Sequence, residues 1–257
     1  MSKTVNEKDV PAEVSHTNLL DYPHSIIWRI LHGTSFLFGG LLFICGSCMY
    51  FTDVIANNDR ALEAGGWLYT VGSACFLLAD IQDWLYYHIG FLFSSSKVND
   101  SQSKPMFRNR LRRVAINVNY FTSNVGSALY LVGSVFFLPK FADSILVGDG
   151  LFIAGSAVIY LSEGWKIVRL ARTSAENAND TSFRFQNIKT NIQAIFISFF
   201  AGLGGFFYFV GTILFLPQYT TTDFGENRAA GLFLCGGIFF TLAGLLLQYC
   251  YYCKSRK

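Results

Sequence analysis

The chain has 257 residues, a formal net charge of +3, 52% apolar residues and only 14% charged residues. Soluble domains average about 25% charged residues, so this composition excludes an ordinary soluble domain. Long uncharged runs cover residues 30–52, 64–79, 114–139, 190–222 and 229–253. A hydrocarbon core of about 30 Å needs roughly 20 apolar residues in a helix, and all but the second run reach that length. The sequence therefore predicts an all-α, polytopic integral membrane protein.

Residues 1–25 are the first predicted element, a polar N-terminal tail of mixed charge. The tail lacks the charged segment followed by a short apolar core that marks a cleavable signal. It also lacks the arginine-rich, acid-poor bias of a mitochondrial presequence. We therefore expect the first apolar helix to act as an uncleaved targeting signal.

Paired glycines mark the helices that follow the tail. The segment GSALYLVGSVFFLP at residues 126–139 returns as GGFFYFVGTILFLP at residues 204–217, and GGLLFICGS at residues 39–47 keeps the same glycine spacing. Each of these segments is followed, after a short loop, by a second glycine-marked segment. We predict six transmembrane helices, at about residues 27–52, 65–88, 114–138, 149–170, 191–217 and 229–253.

These helices form three two-helix hairpin repeats that all point the same way. The repeats are predicted at residues 26–95, 114–171 and 190–253, with a basic loop at 96–113, a polar loop at 172–189 and a basic C-terminus at 254–257. Parallel repeats can be related by an axis along the membrane normal. A compact bundle with pseudo-threefold symmetry is one arrangement that fits, and a simple row of hairpins is the other.

The glycines predict close contacts between helices. Lipid provides no hydrophobic force that drives helices together, so small residues on one face must let two backbones approach. A spacing of seven residues keeps two glycines on one stripe of a helix. We assign helix packing to Gly39, Gly46, Gly65, Gly72, Gly126, Gly133, Gly148, Gly155, Gly204, Gly211 and Gly236.

The pattern GxLYxVGSxxFL, followed by GxLFxxGSxxxxL, resembles the YrhK-like domain, a small two-helix membrane module of uncharacterised activity. The resemblance extends over the glycine-serine hairpins, here arranged in tandem. The third repeat departs from it, because Gly236 and Gly237 stand where the other second helices have Gly-Ser. The resemblance implies a membrane location and a hairpin architecture, and it implies no known chemistry.

The distribution of basic residues predicts the orientation in the membrane. Each of the three short loops within the hairpins carries a single basic residue, namely Arg60, Lys140 or Arg228. Most of the remaining basic residues lie in the tail, the two long loops and the C-terminus. Because basic loops stay on the inner side, both termini are predicted to face the cytoplasm, or the matrix if the membrane is mitochondrial.

Four ionisable residues are candidates for an intramembrane site: Asp80, Asp83, Glu163 and Lys166. Asp80 follows Gly72 by eight residues and Glu163 follows Gly155 by eight. Ionisable groups at membrane depth are costly and often functional, so they could handle ions or protons. The alternative is that they end their helices and pair with Lys166, with Arg29 or with the basic loops. His32 and His88 are further possible partners, although an interfacial position is expected for each.

The depth of Glu163 follows from the length of the fourth predicted helix. The uncharged segment between Asp149 and Glu163 spans only about 21 Å of helix, which is shorter than the hydrocarbon core. We therefore expect Glu163 to be buried near the inner end of its helix, or the bilayer to thin there. Lys166, three residues further on, is predicted to pair with it.

Two further signals concern lipid rather than catalysis. The basic loop before the third helix carries candidates for binding anionic lipid headgroups, Arg108, Arg110, Arg112 and Arg113. Cys250 and Cys253 lie beside basic residues near the C-terminus, as in S-palmitoylation sites. Cys45 and Cys48 are separated from that pair by the membrane, so the four cannot share a zinc ion. We predict no metal site.

The sequence contains none of the common phosphate-binding, dinucleotide-binding, hydrolase or metalloprotease motifs. We therefore predict no catalytic residues, no cofactor and no enzymatic activity. A packing or assembly role is expected, with membrane lipids and other membrane-protein subunits as partners and no nucleic acid. The alternative is an ion or proton channel or transporter that uses the carboxylates near the inner face. A cavity lined by Asp80 and Glu163 would favour transport, whereas a dry apolar centre would favour assembly.

Overall fold

The computed structural model describes the backbone of residues 26–95, 106–172 and 182–254, and the side chains of residues 26–86, 114–172 and 182–253. These residues fold into helices without strands, as the composition predicts. The helices are α1 (Ile26–Cys48), α2 (Thr52–Asn57), α3 (Ala61–Ser95), α4 (Met106–Val135), α5 (Ile145–Ala171), α6 (Phe185–Thr190), α7 (Ile192–Phe215) and α8 (Asp223–Tyr249). A 3-10 turn at Pro139–Ser144 precedes α5, and a π-helical turn at Cys250–Lys254 follows α8.

Five of the long helices are long and apolar enough to cross a membrane, namely α1, α3, α5, α7 and α8. The protein is therefore an all-α polytopic membrane protein. Among the described residues α4 falls short of that hydropathy, so its crossing of the membrane stays a prediction; α4 is 30 residues long and packs between α3 and α5.

The low hydropathy of α4 has a physical reason in its contacts with the neighbouring helices. Asn119 Nδ2 donates hydrogen bonds to the backbone oxygen of Ser162, at 2.9 Å, and to its Oγ, at 2.8 Å. On the other side, Asn124 Nδ2 donates to the backbone oxygen of Asp80 on α3, at 3.2 Å. The polar side chains of α4 are thus used between helices, where a hydrogen bond substitutes for the missing water.

The six long helices form a closed ring in the order α1, α3, α4, α5, α7, α8, with α8 packed back against α1. Neighbours are antiparallel, because contacts such as Gly39 with Gly72 and Gly46 with Tyr69 run in opposite directions along the two helices. A row of hairpins is therefore excluded. We call the end where α1 begins and α8 ends the terminal face, and the end with the short hairpin connections the loop face.

The glycines assigned to helix packing lie at close contacts within their hairpins. A Cβ built on Gly72 would lie 2.6 Å from Phe43 Cδ2, and one on Gly236 would lie 2.6 Å from Tyr208 Cδ2. Gly133 lies against the backbone oxygen of Gly148. Each of these contacts is too tight for a larger side chain, so glycine is required for the aromatic ring or backbone opposite it.

A second set of glycines packs one hairpin against the next, a role that the sequence analysis missed. A Cβ on Gly237 would lie 2.9 Å from the Ile44 nitrogen, and one on Gly244 would lie 2.8 Å from Leu37 Cα. Gly40 lies equally close to Thr241. These three contacts bring α1 and α8 together and close the ring.

Several helix boundaries differ from the predictions. α4 begins at Met106, so the predicted loop at 96–113 is partly helical, and α6 lies across the end of the predicted loop at 172–189. α3 extends from Ala61 to Ser95, beyond the predicted 65–88. α8 begins at Asp223 because Thr222 caps it, its side chain accepting a hydrogen bond from the Gly225 amide. The acidic residues of that first turn also suit the positive end of the helix dipole.

Candidate functional site

Six aromatic rings fill the axis of the ring of helices, and we call them the aromatic plug. Each long helix contributes one ring, at the position three residues before a hairpin glycine. The rings belong to Phe43, Tyr69, Tyr130, Phe152, Tyr208 and Phe233. Each is at most 3% exposed, and their centroids lie 4.4 Å apart for Tyr130 and Phe152 and 5.0 Å apart for Phe43 and Tyr208. Edge-to-face and offset contacts at these distances make a tightly packed centre.

Hydroxyl groups fix the tyrosines of the plug. Ser47 Oγ donates to the backbone oxygen of Phe43 at 2.6 Å, so the hydroxyls of Tyr69 and Tyr208, at 3.0 and 3.1 Å, donate to Ser47. The Tyr130 hydroxyl lies 2.9 Å from Ser156 Oγ. The serines beside the hairpin glycines therefore satisfy the tyrosine hydroxyls, which would otherwise be costly in a dry interior.

A cavity lies on the axis between the aromatic plug and the terminal face. Its empty volume is about 340 Å³. All three hairpins contribute to the wall, and the lining residues are Phe36, Phe76, Asp80, Ser123, Ser127, Ile159, Glu163, Ala201 and Phe240. The cavity thus brings together two of the carboxylates predicted from the sequence.

Asp80 is held in the cavity wall by α4. Its Oδ2 accepts a hydrogen bond from the Ser127 hydroxyl. Asp80 is only partly covered by its neighbours, as expected for a side chain that faces a cavity. Among the described residues, no basic side chain forms an ion pair with Asp80. This carboxylate is therefore the one in the cavity without a positively charged partner.

Glu163 and Lys166 form the ion pair that their spacing predicts, with 3.8 Å between Glu163 Oε1 and Lys166 Nζ. Glu163 Oε2 is buried without a hydrogen-bond partner among the described residues. The side chain of Glu163 is 13% exposed, so its neighbours cover most of it but do not bury it completely. The length argument behind the expected burial was wrong, because α5 begins at Ile145 and Asp149 lies inside it.

Asp149 was predicted to begin the fourth helix, but α5 begins at Ile145, and Asp149 lies on its first turns with 1% exposure. Its Oδ1 is buried and has no hydrogen-bond partner among the described residues. Tyr50, which follows α1 at the loop face, also has a buried hydroxyl without such a partner. Burial raises the pKa of Tyr50, and the charge of Asp149 raises it further. The aromatic plug separates these two residues from the cavity.

Asp83 joins a separate cluster nearer the terminal face. His32 Nε2 lies 3.2 Å from Asp83 Oδ1, and His32 Nδ1 lies 2.7 Å from the Tyr251 hydroxyl. Trp28 stacks on the imidazole, with 4.6 Å between ring centroids. We call His32, Asp83 and Tyr251 the histidine cluster. His32 was one of the possible partners predicted for the intramembrane carboxylates, whereas the part of Tyr251 was not foreseen.

The two lipid-related predictions have different outcomes. Cys250 is buried, so it is not available for acylation, whereas Cys253 is exposed. Palmitoylation stays a prediction, and of the two cysteines the exposed Cys253 suits it better. The backbone at Arg108, Arg110, Arg112 and Arg113 belongs to α4, and their side chains lie outside the described residues.

The comparison with known families supports the resemblance seen in the sequence. The model of a family described as YrhK-like protein matches residues 26–87. This range coincides with the first hairpin, from the start of α1 into α3. No curated protein and no solved structure matches the chain.

Proposed function

We propose that this protein is a non-enzymatic membrane carrier that binds a monovalent cation, proton included, in the cavity at Asp80 and Glu163. The observation that carries the proposal is the cavity itself. Two carboxylates from different hairpins line one small space on the axis of the bundle. Ionisable groups that face a cavity inside a membrane protein commonly mark an ion or proton pathway.

The charges around the cavity favour a cation with a single positive charge. With both carboxylates ionised, Asp80, Glu163 and Lys166 together carry a net charge of −1. A buried charge without a partner is costly, and a single bound cation or proton would remove that cost. Asp80 is the residue at which we expect it to bind.

The aromatic plug favours a carrier over an open channel. The plug fills the axis on the loop-face side of the cavity, so a continuous aqueous path through the centre is absent from the described residues. A cation bound at Asp80 would reach the other side only after the hairpins rearrange. Binding at a junction of repeats, with alternating access, is common among secondary transporters.

We further propose that the three hairpins are copies of one unit and that the terminal face is cytoplasmic, or faces the matrix. Two repeated spacings support the first point. Each plug ring lies three residues before a hairpin glycine, and Asp80 and Glu163 each lie eight residues after one. The excess of basic residues outside the short hairpin loops supports the second.

Flux measurements in proteoliposomes test the carrier proposal. Vesicles that contain the purified protein and a dye sensitive to H⁺, Na⁺ or K⁺ are placed in a gradient of that ion. We expect flux with at least one of these ions, and we expect Asp80→Asn and Glu163→Gln to abolish it. Asp143→Asn is the matched control, because Asp143 is an exposed carboxylate at the loop face. Flux no faster than in protein-free vesicles would contradict the proposal, as would equal loss in the control.

An assembly role is the second candidate, and the packed aromatic centre favours it. A dry, tightly packed axis suits a structural subunit better than a transporter with a wide path. Purification of the native complex separates the two. A partner protein that copurifies in a fixed ratio, and still does so with the Glu163→Gln variant, would support assembly. A protein that purifies alone and shows ion flux dependent on Asp80 would support the carrier.

A further inference from the structure

We infer that the preferred occupant of the cavity is a small alkylammonium ion rather than a bare alkali metal ion. The inference rests on the proposed cation site and adds the chemical class of its ligand. It is carried by the composition of the cavity wall, which combines carboxylates with aromatic rings and offers few unengaged oxygen atoms.

Four side chains supply the oxygen atoms of the wall, and each of them already contacts a protein partner through one oxygen. The Ser127 hydroxyl donates to Asp80, and Ser123 Oγ lies 2.8 Å from Ser162 Oγ. Glu163 Oε1 is paired with Lys166. A bare alkali ion needs a shell of oxygen ligands to replace its hydration water, as in channels that line the ion path with carbonyls. The described wall lacks such a shell.

The described residues contain no group of three or more His, Cys, Asp or Glu side chains arranged to hold a metal ion. The cavity wall therefore provides no dedicated set of protein ligands for a divalent metal beyond its two carboxylates and two hydroxyls.

The apolar part of the wall suits the carbon atoms of an organic cation. Phe36, Phe76 and Phe240 line the cavity together with Ile159 and Ala201. Phe76 lies at the centre of the three rings, 5.2 Å from Phe36 and 4.9 Å from Phe240 between centroids. Aromatic faces attract ammonium groups, and cages of such rings recognise methylated ammonium ions.

These parts assign a place to each end of the ligand. The ammonium group lies at Asp80, which supplies the negative charge, and the methyl groups lie against Phe36 and Phe76. Pockets with apolar walls and a few polar anchors are the usual form of small-molecule sites. We expect the ligand to be a small cation, such as methylammonium or trimethylammonium.

Equilibrium binding of radiolabelled methylammonium to the full-length protein in detergent tests this inference. Wild-type protein is expected to bind it, with Na⁺ and K⁺ at least 10-fold weaker as competitors. Asp80→Asn should weaken binding at least 10-fold. Phe36→Leu should weaken it 3- to 10-fold, and Phe36→Tyr, which keeps the ring, should restore it. Phe38→Leu is the matched control, because Phe38 lies two residues away and is exposed at the outer surface of α1.

The outcomes separate this inference from the proposed function. If Na⁺ or K⁺ competes as well as methylammonium, or if Phe36→Leu and Phe38→Leu behave alike, the alkylammonium assignment is wrong and the cation site stands. If methylammonium, Na⁺ and K⁺ all fail to bind to wild-type protein and ion flux is also absent, the alkylammonium assignment and the proposed cation carrier are both wrong. Size-exclusion elution and thermal unfolding of each variant show that a loss of binding is not a loss of fold.

Discussion

His32 and Asp83 connect the first two long helices at the terminal face, with 3.2 Å between His32 Nε2 and Asp83 Oδ1. The other imidazole nitrogen contacts Tyr251, which belongs to the π-helical turn after α8. One histidine therefore links the beginning of the helix ring to its end. The stacked indole of Trp28 covers the imidazole and limits its rotation.

Removal of the tyrosine hydroxyl from the histidine cluster should weaken the closed ring. Tyr251→Phe deletes the hydrogen bond to His32 Nδ1 and leaves the ring contacts in place. We expect the free energy of unfolding to fall by about 1 kcal/mol, the usual net value of such a bond. Unfolding of the purified protein in mixed micelles measures it. Tyr252→Phe is the control, because Tyr252 is exposed, and an equal loss in both variants would contradict the role of the cluster.

Glycines that contact an aromatic ring of the plug should not tolerate even one added methyl group. Gly72→Ala places a Cβ 2.6 Å from Phe43 Cδ2, so the aromatic plug must shift. We expect a loss of about 1–3 kcal/mol in the free energy of unfolding, as for other overpacked cores.

The control for this substitution is Gly150→Ala, on a glycine with no atom within 4 Å of its added Cβ. Alanine is a better helix former than glycine by about 0.5–1 kcal/mol, so this variant should be neutral or slightly more stable. The same unfolding assay compares the two. Equal stability of both variants would show that the plug does not depend on the glycine.

The polar contacts of α4 should contribute to its position between α3 and α5. Asn119→Ala removes the hydrogen bonds to Ser162, and we expect a loss of about 0.6 kcal/mol in the free energy of unfolding, the average for hydrogen bonds between transmembrane helices, and at most about 1.7 kcal/mol. Val118→Ala is the control, since Val118 is 55% exposed on the outer surface. Unfolding curves of the two variants provide the measurement, and a larger loss in the control would contradict this account of α4.

The two cysteines at the end of the chain should differ in reactivity. Cys253 is exposed and Cys250 is buried. In variants that keep only one of the six cysteines of the chain, a water-soluble maleimide should label Cys253 quickly and Cys250 only after unfolding. If the chain is acylated in cells, Cys253→Ser should remove the acyl group and Cys250→Ser should leave it. Rapid labelling of Cys250 in the folded protein would contradict the observed burial.

The sequence predicted the contacts that depend on local spacing. Glycines seven residues apart lie on one stripe, so the contacts within each hairpin followed from the pattern alone. The contacts between hairpins were missed, although the doublets Gly39-Gly40 and Gly236-Gly237 contain the signal. Adjacent residues of a helix point about 100° apart. One glycine of each doublet therefore serves the hairpin partner and the other serves the neighbouring hairpin.

The candidate site was predicted in part, and its missing members depend on the register between helices. Asp80 and Glu163 could be named because they share an offset from a glycine. The contact of His32 with Asp83 could also have been found from register. Gly39 contacts Phe76 on the antiparallel partner, and seven residues further toward the terminal face on each helix are His32 and Asp83. Phe36 and Ser123 both line the cavity but belong to different hairpins. Their proximity could be recognised only from the closed ring of helices.

The packing of α8 against α1 has a consequence for the order of synthesis. When the first hairpin enters the membrane, the face of α1 that includes Gly40 and Ile44 has no protein partner, because that partner is the last long helix of the ring. The cavity at Asp80 also has no complete wall until Phe240 arrives on the same helix. A ribosome that stalls before α8 would therefore leave a bundle with an open seam, a glycine face covered only by lipid and a carboxylate without its enclosure. Such a chain is the form that membrane quality control would be expected to recognise.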